Sequence, residues 1–315
     1  MKNIFLSAIA LITFGMAATE ADAQYYIVKD GKVIAHSDAD LLDYISFDKP
    51  SFTVSFESGE GATAVKSQDI QFDSPATKPA NPKRDGYSFK GWYNGEEPFD
   101  FSELINGDVN LTAQWKEVVI PDAVDLGLPS GTKWAPFNIG ATAPEEYGDY
   151  FAWGEIEPKS TYSWSNYKFT TTNDGSSFTK YTIDGTTELE DADDVAVQLW
   201  GGDWQMPTIA EWQELIDNCS WEWQKKGNTT FGGVAGYKVT SKKEGYTGKY
   251  IFLPAAGFRD GADLIIAGSV GDYWSRSLYT NGSSNARFLF FDSGGERTSY
   301  ANRYNGISVR AVQRK

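Results

Sequence analysis

Residues able to build a recognition surface crowd into the C-terminal part of the chain. Tyr279, Asn281, Asn285, Tyr300, Asn302, Tyr304 and Asn305 fall close together there. A tyrosine ring stacks on the apolar face of a sugar, and the asparagine amide both donates and accepts hydrogen bonds. Arg259, Arg276, Arg287, Arg303 and Arg310 lie in the same region. Arg276 and Arg303 fall on or near loops, where a guanidinium can reach a ligand. Arg310 sits within an apolar strand pattern, so a carboxylate partner in the core is expected for it, because a buried lone charge is costly. The candidate ligand-binding set is therefore Arg276, Tyr279, Asn281, Tyr300, Asn302, Arg303 and Tyr304. The same residue types also serve as turn formers and core tyrosines.

Catalytic and metal chemistry finds little support. Cys219 is the single cysteine and His36 the single histidine. No disulfide can form within one chain, and a thiolate–imidazole zinc site needs several such ligands. His36 lies far along the chain from the other polar clusters, so no Ser/His/Asp set suggests itself. Asp191, Asp193 and Asp194 could gather round a cation, but capping a helix explains them more simply. No catalytic residue, metal or cofactor is expected.

Composition narrows the class further. The chain has 315 residues and a net charge of −15, with pI near 4.6. Loss of a leader holding Lys2, Glu20 and Asp22 would leave about −14. Phosphate backbones and anionic lipid heads repel such a chain, which sets nucleic acid aside as a partner. With 11 Trp, 17 Tyr, 19 Phe and 31 Gly, β-rich units with tight turns are favoured over a helical bundle.

The elements that must position these residues follow in order. Residues 1–23 resemble a secretory signal peptide: Lys2, an apolar run from Ile4 to Phe14, then Ala21-Asp22-Ala23 before a cleavage expected ahead of Gln24. The run is short for a membrane span, and no cysteine follows it to form a lipobox. The expectation is an exported protein at the cell surface, in the periplasm or secreted, with no membrane span in the mature chain. Residues 24–50 read as a hairpin segment turning at Asp30-Gly31. Residues 51–116 form a second unit, with Tyr87, Phe89, Trp92 and Trp115 expected in its core, and residues 117–122 a linker stiffened by Pro121. Residues 123–315 form one large domain. Its clearest signal is a capping box, Thr208 with Glu211, opening a helix whose stripe is Ile209, Trp212, Leu215 and Ile216. A short helix is expected over 191–200. Strands are expected over 236–240, 250–254, 273–277, 286–291 and 307–312.

Two of these units carry family resemblances. Gly86-Tyr87-Ser88-Phe89-Lys90-Gly91-Trp92-Tyr93, then Phe99-Asp100-Phe101 and Leu111-Thr112-Ala113-Gln114-Trp115, resemble the Listeria–Bacteroides (internalin B-type) repeat. That resemblance implies a small β-grasp-like module of bacterial surface proteins, without catalytic residues. Asp125-Leu126-Gly127-Leu128-Pro129-Ser130-Gly131, Trp204-Gln205-Met206-Pro207-Thr208, Phe252-Leu253-Pro254-Ala255-Ala256-Gly257, Tyr273-Trp274-Ser275 and Val309-Arg310-Ala311-Val312 occur in the order of the Fibrobacter major paralogous domain. This second resemblance implies an exported Bacteroidetes surface protein with a C-type-lectin-like fold related to the formylglycine-generating enzyme: two helices around twisted antiparallel sheets. The overall class expected is α+β, mostly β. Lectin calcium turns are missing, since Glu157-Pro158 is followed by Lys159 and Trp274 by Ser275-Arg276. The cysteine pair of the formylglycine-generating chemistry is missing too.

Three functions follow as expectations. The first is a non-catalytic, adhesin-like binding protein that recognises a glycan or a surface protein. The second is a subunit of a surface fibre, in which the 24–50 hairpin completes a partner's sheet. The third, weakened by the single cysteine, is an enzyme or accessory of the formylglycine-generating group. Oligomeric state is left open.

Overall fold

The computed structural model describes residues 49–314 other than Asp184, together with the backbone of residues 24–29 and 32–38. The leader over 1–23, the Asp30-Gly31 turn, the His36 side chain and Leu41 to Phe47 lie outside the described residues. The chain divides into two units, Met1–Glu117 and Val118–Lys315. Strands dominate both, and among the described residues there are two α-helices.

In the first unit β1 (Gln24–Lys29) pairs antiparallel with β2 (Lys32–Asp38). There follow β3 (Ser51–Glu57), β4 (Gln68–Gln71), β5 (Ser74–Pro75), β6 (Tyr87–Asn94), β7 (Glu97–Pro98), β8 (Leu104–Ile105) and β9 (Val109–Glu117). Phe52, Val54 and Phe56 alternate with polar residues, so one face of β3 is buried. The five-stranded sheet runs β4-β3-β9-β6-β7, and β3 lies parallel to β9, from Val54 opposite Val109 to Glu57 opposite Thr112. Trp92, Ile105, Leu111 and Ala113 close the core under this sheet, with Phe89 and Trp115 packed at its margin. Tyr87 departs from expectation. It is exposed, because it lies at the first position of β6 and its ring supports the Arg84 guanidinium, 3.9 Å away. Gly91 takes φ +142° where the β6 register slips, a bulge that twists this strand next to the short β7.

The second unit holds β10 (Lys133–Trp134), β11 (Tyr150–Phe151), α1 (Val195–Trp200), β12 (Trp204–Gln205), α2 (Ile209–Asn218), β13 (Cys219–Gln224), β14 (Gly236–Ser241), β15 (Tyr250–Pro254), β16 (Phe258–Asp260), β17 (Asp263–Ile265), β18 (Val270–Leu278), β19 (Asn285–Asp292), β20 (Gly295–Asn302), β21 (Gly306–Ser308) and β22 (Val312–Gln313). A seven-stranded sheet runs β17-β16-β21-β18-β19-β20, with β11 paired to β21. Two three-stranded sheets, β10-β22-β12 and β13-β14-β15, complete the unit. The strand β20 falls outside the stretches where the sequence predicts strands. The expected strand over 307–312 is instead split into β21 and β22 around Arg310.

The capping box forms. Thr208 Oγ1 accepts from Glu211 N–H at 3.2 Å, and Glu211 Oε2 accepts from Thr208 N–H at 2.7 Å. Trp212 and Leu215 are buried, with Ile209 and Ile216 packed beside them. The 191–200 segment divides: Asp194 caps α1, accepting from Ala196 and Val197 N–H. Alternation along β18 and β19 separates two cores. Trp274 and Phe288 enter one, while Tyr273, Leu289 and Phe291 enter the one that α2 covers.

Arg310 is fully buried, and none of the ion pairs among the described residues includes it. Its Nε donates to Asn138 Oδ1 at 2.8 Å, Nη1 to the Ala135 and Pro136 carbonyls at 3.1 Å, and Nη2 to the Phe252 carbonyl at 2.9 Å. Neutral dipoles replace the expected ion pair, and burial pulls its pKa down to about 10. In urea unfolding, Arg310→Lys is expected to cost about 3 kcal/mol, because one ammonium cannot serve acceptors arranged for a planar fork. A loss below about 1 kcal/mol would contradict that account.

Candidate functional site

The hairpin of β18 and β19 closes through the 279–284 loop, and β20 lies beside β19. Tyr279 N–H donates to the Asn285 carbonyl at 3.1 Å, and Asn285 N–H to the Gly282 carbonyl at 3.0 Å, which fixes the loop. Arg287 and Tyr300 are direct cross-strand partners, so they share one face of the sheet. The Tyr300 ring stacks on Tyr279 with centroids 4.0 Å apart and planes 11° from parallel. The Arg287 guanidinium lies 5.7 Å from the centre of the Tyr279 ring. Asn281 Nδ2 reaches the Tyr279 hydroxyl at 3.5 Å. Tyr300 keeps 50% of its surface exposed, which is unusual for a large ring already stacked on another. These residues form an aromatic shelf with a cation at its margin and an amide at its tip.

The rest of the predicted set lies elsewhere. Arg303 is fully buried. Its Nε donates to the Tyr167 hydroxyl, and its terminal nitrogens donate to the carbonyls of Tyr181, Ser283 and Lys180, at 2.8 to 3.0 Å. Its guanidinium lies within 5.0 Å of the Trp153 and Phe178 ring centres. Arg303 therefore ties loops to the core and has no face toward solvent. Arg276 is buried as well. It donates to Gln205 Oε1 at 2.6 Å and to the Leu189 carbonyl, with Glu188, Asp191 and Asp194 carboxylates 3.7 to 3.9 Å away. Tyr304 packs edge-on to Trp164, 4.8 Å between centroids. Asn302 is exposed at the end of β20. Of the seven predicted residues, the structure brings together Tyr279, Asn281 and Tyr300, and adds Arg287. The pairing that adds it depends on β20, whose Glu296-Arg297-Thr298-Ser299 carries no apolar alternation.

The acidic cluster is dispersed by its partners. Asp193 accepts from Lys168, Lys180 and Tyr181. Asp194 accepts from the N–H groups of Ala196, Val197 and Met206. Asp191 is exposed. Among the described residues no group of three or more His, Cys, Asp or Glu is placed to hold a metal ion. Cys219 caps the end of α2 and opens β13. Burial pushes its thiol up to about 11, so it stays protonated at neutral pH. A separate shallow cleft of about 320 Å³ is lined by Leu126, Gly127, Leu128, Pro129, Asp217, Asn218, Lys242 and Lys243. No predicted site residue lines it.

Residues 52–114 match the Listeria–Bacteroides repeat domain. Two proteins of Evansella cellulosilytica are similar to parts of the chain. One, provisionally named a Gly-rich membrane protein, is 29% identical over 152 residues, which is 45% of this chain and 18% of that protein. The other, provisionally named a membrane protein, is 36% identical over 80 residues, 24% of this chain and 12% of that protein. The matched stretch is thus less than a fifth of either relative. Among the described residues no helix is long and apolar enough to cross a membrane.

One further carboxyl group stands out. Asp272 on β18 is 5% exposed, and its Oδ1 has no hydrogen-bond partner among the described residues. Across β19 and β20 its row continues through Phe290 to Arg297, whose guanidinium stacks on the Phe290 ring at 4.0 Å. Burial raises the Asp272 pKa to about 7, and the charge of Arg297 offsets this only in part. The folded state therefore binds a proton more tightly than the unfolded chain does. This contribution favours folding at low pH and is lost as pH rises from about 4 to about 7. Asp272→Asn should remove it, so the stability of the variant relative to the parent should rise by on the order of 4 kcal/mol between pH 4 and pH 8. Denaturant unfolding at both pH values checks this, and a pH-independent difference would refute it.

Proposed function

We propose that this is an exported, non-catalytic binding protein of adhesin type, which engages a glycan or a surface protein through the Tyr279–Tyr300 shelf. The shelf is the observation that carries this reading: a stacked, half-exposed aromatic pair held on a closed loop, with its polar atoms at the rim. Rigid rings lose little conformational freedom on binding and offer a broad apolar face. The Listeria–Bacteroides repeat is typical of surface proteins, and the names of the similar proteins place those proteins at membranes, which supports a surface location. The first unit is read as a β-grasp-like spacer, supported by its mixed sheet with β3 parallel to β9 at the centre. The second is read as C-type-lectin-like, supported by two helices beside mostly antiparallel sheets and by β10 meeting β22. In this reading the shelf serves in place of a calcium-centred sugar site.

An array of glycans and glycoproteins probed with the full chain, with and without calcium, tests this function. Saturable binding that does not need calcium is expected, and Tyr300→Ala should weaken it about 10- to 100-fold while leaving the melting temperature near the parent value. Binding that survives both Tyr300→Ala and Tyr279→Ala would remove the shelf from the reading.

A further inference from the structure

The arginines of this region differ in what already occupies them. Arg303 and Arg310 are saturated by carbonyl, hydroxyl and amide oxygens. Arg276 and Arg314 face carboxylates. Arg287 is half-buried beside the shelf, and none of the ion pairs among the described residues includes it. Its guanidinium is held near the Tyr279 ring, opposite Tyr300, with its backbone carbonyl fixed by Ser275 Oγ at 2.7 Å.

From this we infer that the shelf takes an acidic saccharide, a sugar ring bearing a carboxylate, with Arg287 as the residue that selects for the acid. This rests on the binding function proposed above. The apolar face of the ring lies on the exposed Tyr300, and the carboxylate meets the Arg287 fork. A planar guanidinium pairs with a carboxylate through two parallel hydrogen bonds, and partial burial strengthens the pair. The Asn281 amide at the tip can serve ring hydroxyls. The overall charge of −15 sharpens the inference. The chain repels polyanions at long range, so any preference for acid comes from the local guanidinium and favours a short or terminal acidic sugar over a long polyuronate.

The test is calorimetric titration of the full chain with trigalacturonate and its carboxyl-reduced neutral counterpart, and with 3′-sialyllactose and lactose. At least one acidic member is expected to bind about tenfold or more tightly than its neutral partner. The two pairs separate a uronate from a sialate source. Arg287→Gln should lower the acidic ligand to the level of the neutral one. Arg287→Lys should keep part of the preference, and Tyr300→Ala should weaken both. Melting curves confirm that each variant folds. Equal affinity within both pairs, or an acid preference untouched in Arg287→Gln, overturns the acidic-sugar inference and leaves the binding function standing. Absence of binding by all four sugars also overturns it, and the broader function then falls only if the glycan and glycoprotein array is negative as well.

Discussion

Two guanidinium groups held by neutral oxygen atoms in the interior are the constraint on which the second unit depends. A positive charge taken out of water is tolerated only when dipoles surround it. Arg310 obtains them from Asn138 and from the carbonyls of Ala135, Pro136 and Phe252. Arg303 obtains them from Tyr167, Tyr181, Ser283 and Lys180. These acceptors lie on segments far apart in sequence, many of them without regular structure. Each guanidinium therefore satisfies loop carbonyls that would otherwise be buried without donors. Long irregular stretches such as 159–190 can then pack as part of the core. The Ser283 carbonyl bound by Arg303 belongs to the loop that carries the shelf, so the interior network and the exposed rings are mechanically continuous.

Much of the fold is legible in the sequence, and the exceptions have physical causes. The capping box at Thr208 and the stripe of Trp212 and Leu215 are local patterns, and local patterns survive folding. The strands β14, β15, β18 and β19 announce themselves by aromatic and branched residues. β20 does not, because a polar edge strand takes its structure from its neighbour's hydrogen bonds. Tyr87 reads as core in a line of aromatic residues, yet a strand end can leave a ring to solvent with a cation resting on it. Arg310 invites a carboxylate partner in any one-dimensional reading. Three of its four partners are backbone carbonyls, which every sequence contains and none advertises.

The candidate site shows the same division. Tyr279, Asn281 and Tyr300 are visible as a cluster of residue types suited to recognition. Arg303 and Arg276 belong to that cluster by position alone, and burial separates them from it. Arg287 joins only through strand pairing. Proximity in sequence groups these residues, while the side-chain directions, alternating along strands, decide which members face outward.

The parallel pairing of β3 with β9 carries a further consequence. The chain enters the repeat at one end of this pair and leaves it at the other, since the strands point the same way. Tension drawn through the module therefore pulls the strands lengthwise past each other and loads their hydrogen bonds together, as in a lap joint. The antiparallel meeting of β10 with β22 is the opposite arrangement, in which both ends emerge on one side and a pull opens the pair one bond after another. One polypeptide thus joins a unit that resists stretching to a unit that peels.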